Sequence, residues 1–280
     1  MKTTFRFRNR HRAGLAALAL AIVAASPAAA QDVGVKTSTL LPFEKSGARH
    51  TEVDEIVIAP GGKLSLAGYP EERMYYVVDG RGALSVYDRL GKGDMYVIRP
   101  DISLYFTPGL KHEVLNTGAT PLRLVAFRVT GGLVPSESAD GVASWPVVAK
   151  PGVTVTNPAV GTGFWITYVF DEHSNASVTE GQSLQVRALR MRRAQKLVTA
   201  EMLIIGAHAD TRPHNHTDTD ETFYMLTGEG NWVWNGKKIP FKAGSTISFP
   251  ANGVRNIENS GDTPVVYICI NTLADADPAK

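Results

Sequence analysis

The segment His214-Asn215-His216-Thr217-Asp218-Thr219-Asp220-Glu221 sets two imidazoles at i and i+2, with a carboxylate five residues beyond the second. On an extended chain side chains alternate with a period of two, so His214 and His216 project to one side. A short turn returns Glu221 to that side. Two imidazoles and one carboxylate make a facial set with open coordination positions, which suits a catalytic metal better than a closed structural one. Further residues join this neighbourhood by position. Arg255 stays protonated and offers only donors. It either clamps an anionic substrate beside the metal or marks a degenerate site, pairing with Glu221 where no metal is bound. His208, six residues before His214, is a fourth ligand, a general base or an exposed imidazole. Phe223, Met225, Trp232, Trp234 and Phe249 form an apolar substrate wall, or else ordinary barrel core. Cys269, the one cysteine, lies in the apolar run Val265–Ile270 and reads as a buried, inert thiol. A disulfide within the chain and a cysteine-based zinc site are excluded.

Short apolar runs separated by turn signals must position these residues. Glu55–Ile58, Met74–Val78, Leu122–Phe127, Met202–Ile205 and Thr222–Leu226 alternate with Gly61-Gly62, Asp79-Gly80, Gly118, Asn235-Gly236 and Gly261. Asn235-Gly236 between Trp232–Trp234 and Lys238–Phe241 predicts a two-residue hairpin. No long amphipathic helix stands out, so the pattern is that of an all-β sandwich or barrel.

The pattern also repeats. Met74–Gly82 resembles Thr222–Gly230, Pro108, His112 and Asn116 match Pro250, Arg255 and Asn259, and Thr117–Leu122 matches Ser260–Val265. The copies lie roughly 145 residues apart. At the positions of Glu221, His214 and His216 the first copy holds Arg73 and, near them, Leu66 and Gly68, so the chemistry belongs to the second copy. The boundaries predicted are a leader over 1–30, a first barrel over 31–130, a Gly/Pro/Ser-rich connection over 131–163 and a second barrel over 164–280.

Residues 202–270 resemble the cupin superfamily. Its first motif, G-x5-H-x-H-x3-4-E-x6-G, is met by His214, His216, Glu221 and Gly228, with His208 at the opening glycine. Its second, G-x5-P-x-G-x2-H-x3-N, is met by Gly244, Pro250 and Asn259, with Asn252 at the second glycine and Arg255 at the histidine that supplies the usual fourth ligand. The resemblance implies an all-β fold of two double-stranded β-helix, or jelly-roll, barrels in tandem: a bicupin. It implies a divalent metal (Mn, Fe, Ni or Zn) on His214, His216 and Glu221, and the clamp reading of Arg255 adds a small organic, anionic substrate. Dioxygenase, hydrolase, lyase and isomerase chemistries all occur in the superfamily. The competing expectation is a bicupin that binds a small ligand or a sugar without turning it over.

Composition bounds the rest. Of 280 residues, 44% are hydrophobic and 20% charged, which excludes a disordered chain or a coiled coil. The formal charge of +2 depends on Lys2, Arg6, Arg8, Arg10 and Arg12. Without those five residues it is −3 (24 basic, 27 acidic), which argues against a nucleic-acid partner. The basic start, the apolar run Ala13–Ala25 and Ala28-Ala29-Ala30 read as a secretory signal cut before Gln31. The expected mature protein is periplasmic or secreted, free of the membrane, and a homodimer through a barrel edge.

Overall fold

The computed structural model describes residues 31–48, 50–66, 69–87, 93–131, 155–156, 164–168, 183–190 and 196–274. The leader expected over 1–30 and most of the connection expected over 131–163 lie outside the described residues.

The first half contributes β1 (Val33–Leu41), β2 (Thr51–Leu66), β3 (Glu72–Asp79), β4 (Gly82–Tyr87), β5 (Gly93–Ile98), β6 (Ile102–Phe106), β7 (Lys111–Asn116) and β8 (Leu122–Val129). The second contributes β9 (Val155–Thr156), β10 (Phe164–Tyr168), β11 (Ser183–Arg190), β12 (Leu197–Ile205), β13 (Thr219–Thr227), β14 (Glu229–Trp234), β15 (Lys237–Lys242), β16 (Thr246–Phe249), β17 (Arg255–Glu258) and β18 (Val265–Leu273). The fold is all-β, two jelly-roll barrels in tandem. One sheet runs β5-β4-β7-β2-β8-β3-β6-β10-β9, with β1 beside β2. The second barrel combines β11-β12-β18-β13-β16 with β15-β14-β17. β10, which the sequence reading places at the start of the second barrel, hydrogen-bonds to β6 in the first sheet, Trp165 opposite Tyr105.

The turns follow their sequence signals. Asn235 (φ 49°) and Gly236 (φ 81°) form the expected two-residue hairpin, pairing Trp234 with Lys237. Each barrel repeats one side-chain lock. Asn116 donates to the carbonyls of Ile58 and Thr120 and accepts from Gly118 N–H. Asn259 does the same with Ile205, Gly206, Thr263 and Gly261. The motif asparagine therefore closes a turn and carries no chemistry.

Alternation sorts the strands into two faces. Inside the second barrel lie Phe223, Met225, Tyr267 and Cys269; on the opposite face of the same strands lie Tyr224, Ile268 and Ile270, with Ala200 and Met202 of β12. That outer face packs on Met74, Tyr76, Tyr105, Phe127 and Val129 of the first barrel as one continuous core. A buried loop adds polar contacts. Ala48 N–H donates to Ser248 Oγ, and His50 Nε2 lies 2.6 Å from Thr272 Oγ1. Gly47 is pressed so closely on the Ser248 carbonyl and the Pro250 ring that a Cβ there would collide with both.

Glu72 ties the barrels at their centre. It is fully buried, accepts from Tyr105 O–H and from the backbone N–H groups of Lys196 and Leu197, and so holds the start of strand β12. Burial pushes its carboxyl up to about 7 against these donors. In the unfolded chain it ionises near 4.5. Between those values the folded state keeps a proton that the unfolded state has lost, so stability falls as pH rises from about 4.5 to about 7. Urea unfolding at pH 5 and pH 7.5 should show this as a loss of up to about 3 kcal/mol, absent in Glu72→Gln.

Candidate functional site

β12, β13, β16 and β18 lie side by side, and their paired residues form rows across the inner face. Asn271, Glu221 and Phe249 make one row; Glu201, Cys269 and Phe223 make the next; Leu203 lies in a third with Tyr267. Facing them is β17 with Arg255 and Ile257. Between them is a cavity of about 270 Å³, also lined by Thr211, His214, His216 and Asn256.

The ligand segment is held to β17. His214 and Arg255 exchange both backbone hydrogen bonds at 2.9 Å, and Asn252 N–H donates to the His216 carbonyl. Behind Glu221, Asp220 accepts from Ala251 N–H. These bonds turn the expected spacing into convergence: one ligand atom from each of His214, His216 and Glu221 lies within 4.8 Å of the other two. His214 Nδ1 lies 2.9 Å from the Arg212 carbonyl, which can only accept, so Nδ1 carries a hydrogen and Nε2 is the nitrogen left to act as a ligand. His216 Nδ1 meets Thr219 Oγ1 at 3.3 Å, and its Nε2 faces Glu221 Oε1 at 3.3 Å. Burial, helped by the charges of Arg255 and His214, holds His216 below the ordinary histidine range against the pull of Glu221. In the tautomer with its hydrogen on Nδ1, neutral His216 offers the Nε2 lone pair beside the Glu221 carboxylate, two ligand atoms that one cation would engage together. The residues present therefore fit a divalent metal.

Arg255 is 1% exposed. Its Nη1 lies 3.1 Å from Glu221 Oε2 and 3.5 Å from the Phe249 carbonyl. Its Nε and Nη2 are buried with no hydrogen-bond partner. The ion pair with Glu221 is thus present, and the two remaining guanidinium nitrogens are covered within the barrel.

Other expected site residues divide. Phe223 and Phe249 line the cavity. Met225 and Trp232 do not; they lie buried in the barrel core behind it. Trp234 stacks on the far side of Phe249, ring centroids 4.7 Å apart, with the Arg255 guanidinium 5.5 Å from its ring. The expectation of a single aromatic wall is corrected accordingly. His208 is corrected too. With φ at 56° it turns out of line, and its Nε2 meets Asp262 at 3.0 Å on the exposed rim, outside the cavity lining.

Sequence reading missed Glu201, Leu203, Tyr267 and Asn271 in the wall. The available signal was alternation along β12 and β18, inward at 201, 203, 267, 269 and 271. Cys269 is in this wall as well. Its thiol donates towards Glu221 Oε1 at 3.6 Å, and burial, with the nearby Glu221 and Glu201 charges, keeps its pKa well above the usual thiol range.

The first barrel has the same frame and different occupants. Leu66 pairs with His112 as His214 pairs with Arg255, and Arg73 pairs with Phe106 as Glu221 pairs with Phe249. Arg73 donates to Glu71 and Tyr75 and covers the Tyr69 ring. His112 stacks on Phe106 and meets the Leu110 carbonyl and Tyr75 hydroxyl. Burial holds it down at about 3, so it is neutral at physiological pH.

The comparisons with known proteins agree with this architecture. The cupin domain family matches residues 54–128 and 201–271, together just over half of the chain. An oxalate-binding protein of Thermotoga maritima is 35% identical over 60 residues, 21% of this chain and 50% of its own length. An uncharacterized protein of Methanocaldococcus jannaschii is 32% identical over 66 residues, 24% of this chain and 53% of its own. The chain thus matches about half the length of these curated relatives. Oxalate decarboxylase of Bacillus subtilis at pH 4.6 superposes with a TM-score of 0.63 at 14% identity, covering 87% of this chain and 74% of that one. A point variant of the same enzyme gives 0.65 at 14% identity, covering 88% and 75%. These structures share the fold.

The Glu221–Arg255 pair yields a stability test. Glu221→Gln leaves a buried guanidinium without its carboxylate, and urea denaturation of metal-free protein should show a loss of about 3–5 kcal/mol. The double variant Glu221→Gln/Arg255→Met should recover much of it.

Proposed function

This chain belongs to the cupin domain family, and we propose that it is an exported bicupin metalloprotein whose second barrel acts on a small organic anion. The observation that carries the proposal is the convergence of His214, His216 and Glu221 beside a buried Arg255 with two unspent donors. A divalent metal (Mn, Fe, Ni or Zn) held there would supply Lewis acidity, polarising a substrate oxygen or activating water. Arg255 orients the anion. The half-buried His216, kept neutral, presents a lone pair at physiological pH. Phe223, Phe249 and Ile257 keep bulk water from the bound anion. The name of the Thermotoga maritima relative supports an organic acid as the ligand class.

A second reading is binding without turnover. It is favoured by Arg255 itself, which stands where the family motif has its fourth ligand and cannot coordinate a cation.

Metal content by inductively coupled plasma mass spectrometry tests the first step, on protein purified without chelator or affinity tag. About one metal per chain is expected, lost in His214→Ala/His216→Ala. Wild-type protein that stays metal-free after reconstitution would sink the metalloprotein reading and leave the binding one.

Export and self-association belong to the same proposal. Support for a homodimer comes from the edge strand β5, whose Met95 and Val97 are 73% and 72% exposed, whereas the edge strand β15 is guarded by Lys237, Lys238 and Pro240. Mass spectrometry and light scattering of the exported protein should find a chain starting at Gln31 and a mass of two chains. A chain starting at Met1, or a monomer mass, would count against the respective half.

A further inference from the structure

Among the described residues the first barrel holds no ligand triad, yet one of its loops reaches the back of the triad in the second. The segment before β2 is fixed to its own barrel. The Ala48 carbonyl accepts from Thr51 N–H and Ser46 O–H, and the His50 carbonyl accepts from Thr130 N–H just after β8. From that anchorage the segment projects against β16, the edge strand of the sheet that carries Glu221. Gly47 lies where a side chain would strike the Ser248 carbonyl. Ala48 N–H donates to Ser248 Oγ at 3.1 Å. The Ser248 hydroxyl in turn donates to the Glu221 carbonyl at 3.2 Å and meets Thr222 Oγ1 at 2.9 Å. With one hydrogen and two lone pairs, it serves all three contacts at once.

His50 takes the other side of Glu221. Its Nε2 lies 2.6 Å from Thr272 Oγ1 and 3.6 Å from Asp220 Oδ2, and these three side chains are buried. Asp220 Oδ1 accepts from Ala251 N–H at 2.7 Å, and the next residue, Asn252, gives its N–H to the His216 carbonyl at 2.7 Å. Two short paths therefore start from one loop of the first barrel. One ends at the backbone of Glu221, the other at the backbone of His216. Asp220 and Thr222 flank Glu221 on the strand face opposite the cavity. The loop thus grips β13 on both sides of the carboxylate while staying out of the cavity lining.

We infer that the first barrel is the outer support of the second barrel's metal site, with Gly47, Ala48 and His50 as positioning residues for Glu221 and His216. This rests on the reading of His214, His216 and Glu221 as metal ligands, and it gives the barrel without a triad a part in the other's chemistry. Groups behind a ligand fix its orientation, and losing one weakens metal binding by roughly 10- to 100-fold. A contact that only glued the barrels together would cost stability and leave metal affinity alone.

Isothermal titration of chelator-stripped protein with manganese(II), nickel(II) and zinc(II) in turn tests it. The wild type should bind about one metal per chain. His50→Ala and Ser248→Ala should each weaken the tightest of the three by roughly tenfold or more. His50→Gln, which can still donate to Thr272, should recover part of the loss. Phe127→Leu is the control, since it trims the core shared by the barrels and leaves the loop's hydrogen bonds in place. Its stability in urea should fall while its metal affinity holds. Circular dichroism checks that each variant is folded, and Ser248→Ala decides alone if His50→Ala is not. Folded variants with wild-type affinity overturn the inference and leave the metalloprotein reading intact. So does an equal loss of affinity in Phe127→Leu. Wild-type protein that takes up none of the three metals overturns both.

Discussion

The strands that carry the site have no solvent face. β12, β13 and β18 bury one set of side chains in their own barrel and the alternate set against the first barrel. With a period of two, a slip of one residue would send Tyr224, Ile268 and Ile270 into the cavity and turn Glu221, Cys269 and Asn271 towards the other barrel's hydrocarbon core. Burial on both faces therefore fixes register far more firmly than a half-exposed sheet could. The rows across the inner wall, and the alignment of Glu221 with Phe249, follow from that constraint. The His214 segment is the exception. It is held through its bridge to β17 and through single backbone bonds from Asn252 to His216 and from Ala274 to Asp218, so the ligands come from one rigid strand and one segment held by a few backbone hydrogen bonds.

Charge is arranged as economically as packing. A fully buried guanidinium needs an anion nearby, and Glu221 supplies one through a single nitrogen. The same carboxylate faces His216 with its other oxygen, so it sits between a cation above and an imidazole below. In the first barrel the signs at the matching positions are changed: Arg73 replaces the carboxylate, and a neutral His112 replaces the arginine. There Glu71, Tyr69 and Tyr75 satisfy the guanidinium, and aromatic rings occupy the space around it. One backbone frame supports two different solutions to burying an arginine.

Much of this was readable from residue order. Alternating apolar runs and glycine turns specify a β-fold, the paired segments around Gly80 and Gly228 reveal the duplication, and Asn235-Gly236 gives its hairpin directly. The triad was legible because its members are close in sequence and on one extended segment. Glu201, Tyr267 and Asn271 were not, because their inward direction emerges only once three distant strands are in register. The tryptophans misled for a related reason. Alternation puts Trp232 and Trp234 on the same side of β14, and residue order does not say whether core, second layer or cavity receives each ring. His208 required knowledge of one positive φ. The pairing of β10 with β6 spans about sixty residues, and no local propensity encodes a contact at that separation.

The shared core between the barrels bears on how such a protein can be taken apart. The duplication suggests two interchangeable modules, each able to be cut out, swapped or fused elsewhere. Met74, Tyr76, Tyr105 and Phe127 on one side, and Tyr224, Ile268 and Ile270 on the other, say otherwise: severing the halves would lay bare a broad greasy surface on each fragment and strip β12 of its carboxylate cap. Modularity here is a property of ancestry, while heat and denaturant would meet a single cooperative body.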